Sequence, residues 1–245
     1  AVQTWDSCIY TSEEEALFVR DYLGPALAQA GFADTGIYVW DHNKEEAYQR
    51  FKEVVADERT KKYVSGAAVH WYTGDHFEAA ELIRKQYPDK EVFFTEGCVE
   101  YSRFADSGEV EKAEMYAHDI MGNLNAGVSA SFDWNLFLDA EGGPNHVGNF
   151  CAAPVMCDPG EDTFEKRLSY YYIGHFSRYV EPGAVRVGMT RYSDAVEAAA
   201  FLNPGGERVL VLLNKSDKEV PVTVREAGYG METVLTPHSI HTICY

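Results

Sequence analysis

The sequence predicts an α/β protein in which a parallel sheet of about four strand-and-helix units is followed by a small antiparallel β-sandwich. Three observations carry this. Apolar strand-length runs alternate four times with helical patterns, at spacings near the ~30 residues of a βα unit. The polar ends of the four runs all fall on one side of such a sheet. After Pro182-Gly183 the pattern changes to short alternating strands bounded by turn residues.

Thr11-Ser12-Glu13-Glu14-Glu15 offers overlapping capping boxes, Thr11 with Glu14 and Ser12 with Glu15, so a helix starts there, carries Phe18, Tyr22, Leu23 and Leu27 inward and ends by Gly31. Gly36-Ile37-Tyr38-Val39-Trp40 reads as a strand with Asp41-His42-Asn43 as its polar exit, before a helix carrying Tyr48, Phe51 and Val55. A strand over 64–70 leads through Trp71-Tyr72-Thr73-Gly74-Asp75 to a helix with Phe77, Ala80, Ile83 and Tyr87 buried, stopped by Pro88. The third unit is Val92-Phe93-Phe94-Thr95-Glu96, a buried strand ending in a carboxylate, with a helix over 110–124. The fourth is a strand over 128–135, a Gly- and Pro-rich loop over 136–162 and a helix over 164–180. These helices are expected to pack on the sheet. Six short strands follow, over 185–190, 196–203, 207–213, 220–224, 231–235 and 239–244, with turns at Asn203-Pro204-Gly205-Gly206 and Asn214-Lys215-Ser216-Asp217.

Composition narrows the function. The chain has 245 residues, 46% of them apolar, ample for a core, and a net charge of -18 that argues against a phosphate-backbone partner. No nucleic-acid partner is expected, and a neutral or cationic ligand fits better. No apolar run reaches ~18 residues and the first residues lack a signal peptide's pattern, so a soluble protein is expected, cytoplasmic or secreted as part of a longer precursor. Five cysteines without a C-x-x-C pair indicate neither a disulfide framework nor a zinc ribbon, although one Cys151–Cys157 bridge stays open. No metal or other cofactor is implied, since metalloprotease, Walker, nucleophile-elbow and dinucleotide motifs are missing.

The strand ends collect Asp41, His42 and Asn43; His70, Trp71 and Tyr72; Glu96; and Asp133, Trp134 and Asn135. Carboxylates, amides and a histidine mixed with indole and phenol rings form a sugar-binding type of surface. Each has an ordinary alternative: His70 as a satisfied core histidine, Trp71, Tyr72 and Trp134 as packing, Asp133 as a loop anchor, and Cys98 as a small buried hydrophobe rather than a nucleophile beside His70.

The stretches Ala68-Val69-His70-Trp71-Tyr72, Phe94-Thr95-Glu96-Gly97-Cys98, Asp133-Trp134-Asn135-Leu136, Glu141-Gly142-Gly143-Pro144-Asn145 and Tyr172-Ile173-Gly174-His175-Phe176-Ser177 resemble, in order and spacing, the glucosylceramidase branch of glycoside hydrolase family 30. The resemblance covers nearly the whole chain. It implies a (β/α)8 (TIM) barrel fused to a β-sandwich, cleavage of β-glycosidic bonds with retention, and Glu96 as the nucleophile. It places His70, Tyr72 and Trp134 in the sugar pocket, with Asn149 and Asn43 as further substrate-binding positions, to which the strand-end cluster adds Asp41. His146 stands where an aromatic residue is common.

One family motif is missing. The acid/base glutamate belongs to an Asn-Glu-Pro tripeptide at the end of strand 4, which this sequence lacks, and Ala1-Val2-Gln3-Thr4-Trp5 resembles the segment just after it. The implied fold is therefore an incomplete (β/α)8 barrel over 1–182, strands 5 to 8, with the sandwich over 183–245. Retaining hydrolysis needs two carboxyl groups ~5 to 5.5 Å apart. A homodimer that pairs the open edges of two half barrels would place the partner copy's Asp133 as the substitute acid/base. The leading reading is a retaining, β-glucosidase-like enzyme acting on small β-linked glycosides; the alternative is a non-catalytic carbohydrate-binding fragment or inactive truncated glycosidase.

Overall fold

The computed structural model describes residues 9–145 and 147–245. Cys8, His146 and the segment Ala1 to Trp5 lie outside the described residues. Helix α1 (Ser12–Phe18) opens on a reciprocal capping box: the Glu14 amide donates to Thr11 Oγ1 at 3.2 Å and the Thr11 amide to Glu14 Oε2 at 2.9 Å. It runs through a π-helical turn (Val19–Leu23) into α2 (Gly24–Gln29). Pro25, which has no N–H to offer the carbonyl one turn back, accounts for the widened turn. The buried stripe is Val19 with Leu23 and Leu27 packed beside it; Phe18 and Tyr22, expected inward, are 45% and 62% exposed and stack on each other.

The chain continues through β1 (Ile37–Asn43), a 3-10 turn, α3 (Ala47–Val54), α4 (Glu58–Lys61), β2 (Val64–His70), α5 (Phe77–Gln86) and β3 (Glu91–Glu96). After β4 (Val99–Glu100) and α6 (Glu109–Asn125) come β5 (Ala130–Ser131), β6 (Phe137–Asp139), β7 (Cys151–Ala152), β8 (Val155–Asp158), β9 (Thr163–Lys166) and α7 (Leu168–Ser177). The last strands are β10 (Val185–Val187), β11 (Glu197–Leu202), β12 (Arg208–Asn214), β13 (Val220–Glu226), β14 (Tyr229–Leu235) and β15 (Ser239–Cys244).

Two compact units result. The first comprises Ala1–Cys98, Ala126–Trp134 and Asn145–Gly148. Its strands form one parallel sheet in the order β1-β2-β3-β5, the partial TIM barrel. Val39, Val69, Val92 and Phe94 of the strands pack with Phe51, Val54, Ala80 and Ile83 of α3 and α5. Gly66 lets β2 and β3 close up. The strand expected over 128–135 is regular only at Ala130–Ser131; beyond it the amides of Phe132 and Trp134 still reach the carbonyls of Phe94 and Gly97, at 2.8 and 3.0 Å. There Asp133 Oδ1 accepts from the Trp134 amide at 2.9 Å, a local side-chain bond of the kind that competes with a strand ladder.

The second unit comprises Val99–Asn125, Asn135–Pro144 and Asn149–Tyr245. Its antiparallel sheet, β10-β11-β12-β15, is covered on both faces. Ala199, Phe201, Val209, Val211 and Ile240 meet α6 and α7 through Ala113, Ala117, Met121, Tyr172 and Phe176. Ala198, Leu210 and Leu212 meet Val222, Val224 and Leu235 of the β13–β14 hairpin. Burial on two sides explains why β12 reads Val-Leu-Val-Leu-Leu without alternation. Helix α6, expected to cover the parallel sheet, thus has its apolar stripe within this unit.

Two further expectations are corrected here. The stretch over 136–162 carries β6, β7 and the whole of β8, and the helix expected from 164 begins at Leu168, because Asp158 Oδ1 takes the amides of Gly160 and Glu161 and folds β9 back on β8. Cys151 and Cys157 are not bridged to each other, and neither Cys98 nor Cys244 is in a disulfide. Among the described residues no helix is long and apolar enough to cross a membrane, and no cluster of three or more His, Cys, Asp or Glu is placed to hold a metal ion.

Candidate active site

The parallel strands of the first unit deliver their polar exits to one end of the sheet. At the end of β1 the backbone turns abruptly. Trp40 and Asp41 have φ of 80° and 44°, and the pairing with β2 slips between Trp40 and His42. A non-glycine residue in the left-handed region costs of order 1–3 kcal/mol and persists only where its surroundings hold it. Here Glu15 Oε1 takes the Trp40 amide at 2.9 Å, and the Trp40 indole donates to the Asn43 carbonyl at 2.8 Å.

The bulge re-aims Asp41. Its Oδ1 lies 3.0 Å from His70 Nε2, at the end of β2, and accepts from Thr95 Oγ1 of β3 at 2.7 Å. A carboxylate only accepts, so Nε2 is the ring nitrogen that carries the proton. The hydrogen bond from His70, joined by that from Thr95, outweighs burial and holds the Asp41 carboxyl below the usual range. His42 stacks on the His70 ring at 6.2 Å, its Nδ1 taking the Asn43 amide at 2.7 Å.

Glu96, the last residue of β3, is next. Tyr72 donates to its Oε1 at 2.8 Å and lies 3.4 Å from Cys98 Sγ, while His70 Nδ1 stands 4.0 Å from the same Oε1. Tyr72 is set in place from below, its amide donating to Asn43 Oδ1 at 3.0 Å. Burial first, then the neighbouring Cys98 and Glu96, push the Tyr72 phenol far above its ordinary value, so it stays a neutral donor. The Glu96 side chain keeps 27% of its surface open.

The other sequence candidates fall as follows. Trp71 packs edge-on against Phe94 at 6.1 Å, in the core. Cys98 is 4% exposed. Trp134 belongs to the same unit and is 58% exposed, its amide held by Gly97. Asp133 Oδ1 accepts from the Trp134 amide, and Oδ2 is closed off from solvent. Asn149 is a residue of the second unit, where its carbonyl accepts from Cys151 Sγ at 3.7 Å. Sequence reasoning missed Thr95, which reads as an ordinary β-branched strand residue, and Glu15, which reads as part of a helix start.

Residues 2–180 match the family model described as "Glycosyl hydrolase family 30 TIM-barrel domain", and residues 183–243 match "Glycosyl hydrolase family 30 beta sandwich domain". The chain belongs to glycosyl hydrolase family 30. It is 35% identical to the lysosomal acid glucosylceramidase of Mus musculus over 241 residues, covering 95% of this chain and 47% of that protein. It is 28% identical over 218 residues to the endo-1,6-beta-D-glucanase neg1 of Aspergillus fumigatus, covering 86% of this chain and 42% of that one. The crystal structure of SrfJ from Salmonella typhimurium superposes with a TM-score of 0.95 at 42% identity, covering all of this chain and 55% of that chain. The endo-beta1,6-glucanase BT3312 gives 0.84 at 30% identity, with 96% and 54% covered. The family 30 chain described here therefore spans about half the length of the relatives it matches.

Proposed function

We propose that this chain carries the nucleophile of a retaining β-glycosidase, β-glucosidase-like, acting on small β-linked glucosides. Glu96 is the attacking group. The observation behind this is the hold on its carboxylate: Tyr72 donates to Oε1, while the side chain remains partly open at the carboxyl end of the sheet beside the Nδ1 edge of His70. With Oε1 fixed, Oε2 is the oxygen presented to a sugar's anomeric carbon. When water later releases the sugar, negative charge returns to the carboxylate and the Tyr72 hydroxyl is already in place to receive it. His70 and Tyr72 line the pocket, and the exposed indole of Trp134 offers a face for pyranose C–H groups. A glucosyl unit is the sugar favoured, since both glucosylceramidase and glucanase are among the relatives' names.

The test is hydrolysis of an aryl β-glucoside by the protein and by Glu96→Gln. The variant should lose turnover and keep sugar binding. Turnover that survives Glu96→Gln would overturn the assignment, and sugar binding without turnover in either protein would establish a carbohydrate-binding role instead.

A further inference from the structure

We infer that Asp41 and Thr95 are a positioning pair: they fix the His70 imidazole against the Glu96 carboxylate and, in that role, set the rate at which the nucleophile reacts. This rests on Glu96 being the nucleophile, and it moves Asp41 from the sugar-contacting residues to those acting through another group.

Three observations point the same way. First, a single oxygen, Asp41 Oδ1, receives both the His70 ring and the Thr95 hydroxyl, at 3.0 and 2.7 Å. That oxygen's lone pairs are committed to protein donors. Second, the strand order is β1-β2-β3, so a side chain leaving β1 reaches across the end of β2 to β3 and ties three strands at the site. Third, this reach exists because Trp40 and Asp41 both occupy left-handed backbone and the β1–β2 register slips there. Strain of that kind is retained where the surroundings over-determine it, and the bulge is a device for re-aiming a side chain.

The consequence is chemical. An imidazole has two usable nitrogens. Pinning Nε2–H to Asp41 fixes the tautomer and the ring plane and turns the bare Nδ1 lone pair toward Glu96 Oε1 at 4.0 Å, so the ring does not draw on the carboxylate's charge and leaves it available for attack. Released from Asp41, the ring would be free to turn its Nδ1 edge away from the carboxylate. Thr95 contributes by orienting Asp41, and being the residue before Glu96 it couples that orientation to the strand that carries the nucleophile.

The experiment follows covalent labelling by 2,4-dinitrophenyl 2-deoxy-2-fluoro-β-glucoside, read by intact mass. In this step a Glu96 oxygen forms a bond to C1 and the C1–O bond to the phenol breaks. The electron pair departs on dinitrophenolate, which needs no proton. Thr95→Val, similar in shape but without the donor, should slow the labelling rate constant about tenfold with little change in the inactivator's apparent affinity. Asp41→Ala should slow it further, and the double variant should be no slower than Asp41→Ala alone. Thr95→Ser should restore the rate, and Asp41→Asn, which keeps an acceptor oxygen, should lie between wild type and Asp41→Ala.

A direct contact between Asp41 and sugar would give a different pattern: Asp41→Ala would weaken affinity, and Thr95→Val would have no effect. That result overturns the inference. A second readout does not depend on labelling. Histidine 15N shifts, with His70 identified through His70→Gln, should show Nε2 protonated in wild type and a changed tautomer distribution in Asp41→Ala and Thr95→Val. Unchanged His70 shifts in both would sink the positioning role. If wild-type protein is not labelled at all, the Glu96 assignment fails, and the shifts still decide whether Asp41 and Thr95 govern His70.

Discussion

Tyr72, just past the end of β2, donates its hydroxyl to Glu96 Oε1 at 2.8 Å, so the donor and the carboxylate come from adjacent strands of one sheet. A hydrogen bond to a charged group is worth about 1.5–3 kcal/mol. Tyr72→Phe removes it while keeping the ring, and turnover of an aryl β-glucoside should fall roughly 10- to 150-fold. Steady-state kinetics at one pH checks this; a variant that turns over at the wild-type rate would show that the phenol does not assist the carboxylate.

Leaving-group dependence reports on the second carboxyl of a retaining pair. The less a departing oxygen needs protonation, the less an acid/base residue matters. Dinitrophenyl β-glucoside should therefore react much faster than cellobiose, by a wider margin than in a family member that carries the Asn-Glu-Pro glutamate. Equal margins in the two proteins would show that a second carboxyl is in place.

Close packing gives a stability prediction. A Cβ at Gly66 would lie 2.1 Å from the Glu91 carbonyl oxygen and 2.7 Å from its carbon, both backbone atoms of the neighbouring strand. A Cβ at Gly97 would meet ring atoms instead, Phe94 Cζ at 2.7 Å and Trp71 Cε2 at 3.1 Å. Rings can shift by a fraction of an ångström, whereas a paired strand cannot without loss of its ladder. Gly97→Ala should cost about 1–3 kcal/mol and Gly66→Ala more than about 3 kcal/mol. Thermal melts should show a drop of at least ~6 °C for Gly66→Ala, and the smaller loss for Gly97→Ala should come with reduced activity, since Gly97 adjoins Glu96.

Much of this was legible in the sequence, for identifiable reasons. The β2 strand over 64–70 and β15 over 239–244 were placed correctly because apolar runs there end at sharp polar or turn signals. The Thr11–Glu14 capping box was legible because it is local. What was not legible depends on partners distant in sequence. The β8–β9 hairpin takes residues that read as a helix start, and α6 turns its apolar stripe to α7 and β11, a choice that helical periodicity cannot express. At the site, Glu96, His70 and Tyr72 stood out as chemistry-bearing residues at strand ends. The bulge at Trp40–Asp41 left no trace, because Trp40 is not a usual left-handed type and an aspartate, which tolerates that region, reads equally well as a plain polar strand exit, and Thr95 became visible only through the carboxylate it holds.

The second unit carries a pH-dependent clasp. His238 Nδ1 lies 2.9 Å from Glu114 Oε1 of α6, and its Nε2 lies 2.9 Å from Asp217 Oδ1. Hydrogen bonds to Asp217 and then Glu114 outweigh the cost of burial and raise the His238 pKa above its ordinary 6.5. A raised folded-state value means that the folded protein binds this proton more tightly than the unfolded chain. The clasp's contribution is therefore fully present below about pH 6.5 and is lost as pH rises through the raised value. Wild-type protein should lose more melting temperature than His238→Gln between pH 6 and pH 8.5, with the two curves converging at the alkaline end. His175, lowered by burial and by His241, works in the opposite sense, losing its contribution as pH falls. It is present in both proteins and cancels in the difference. Parallel melting curves across this range would show that the two carboxylates do not hold His238 in its charged form.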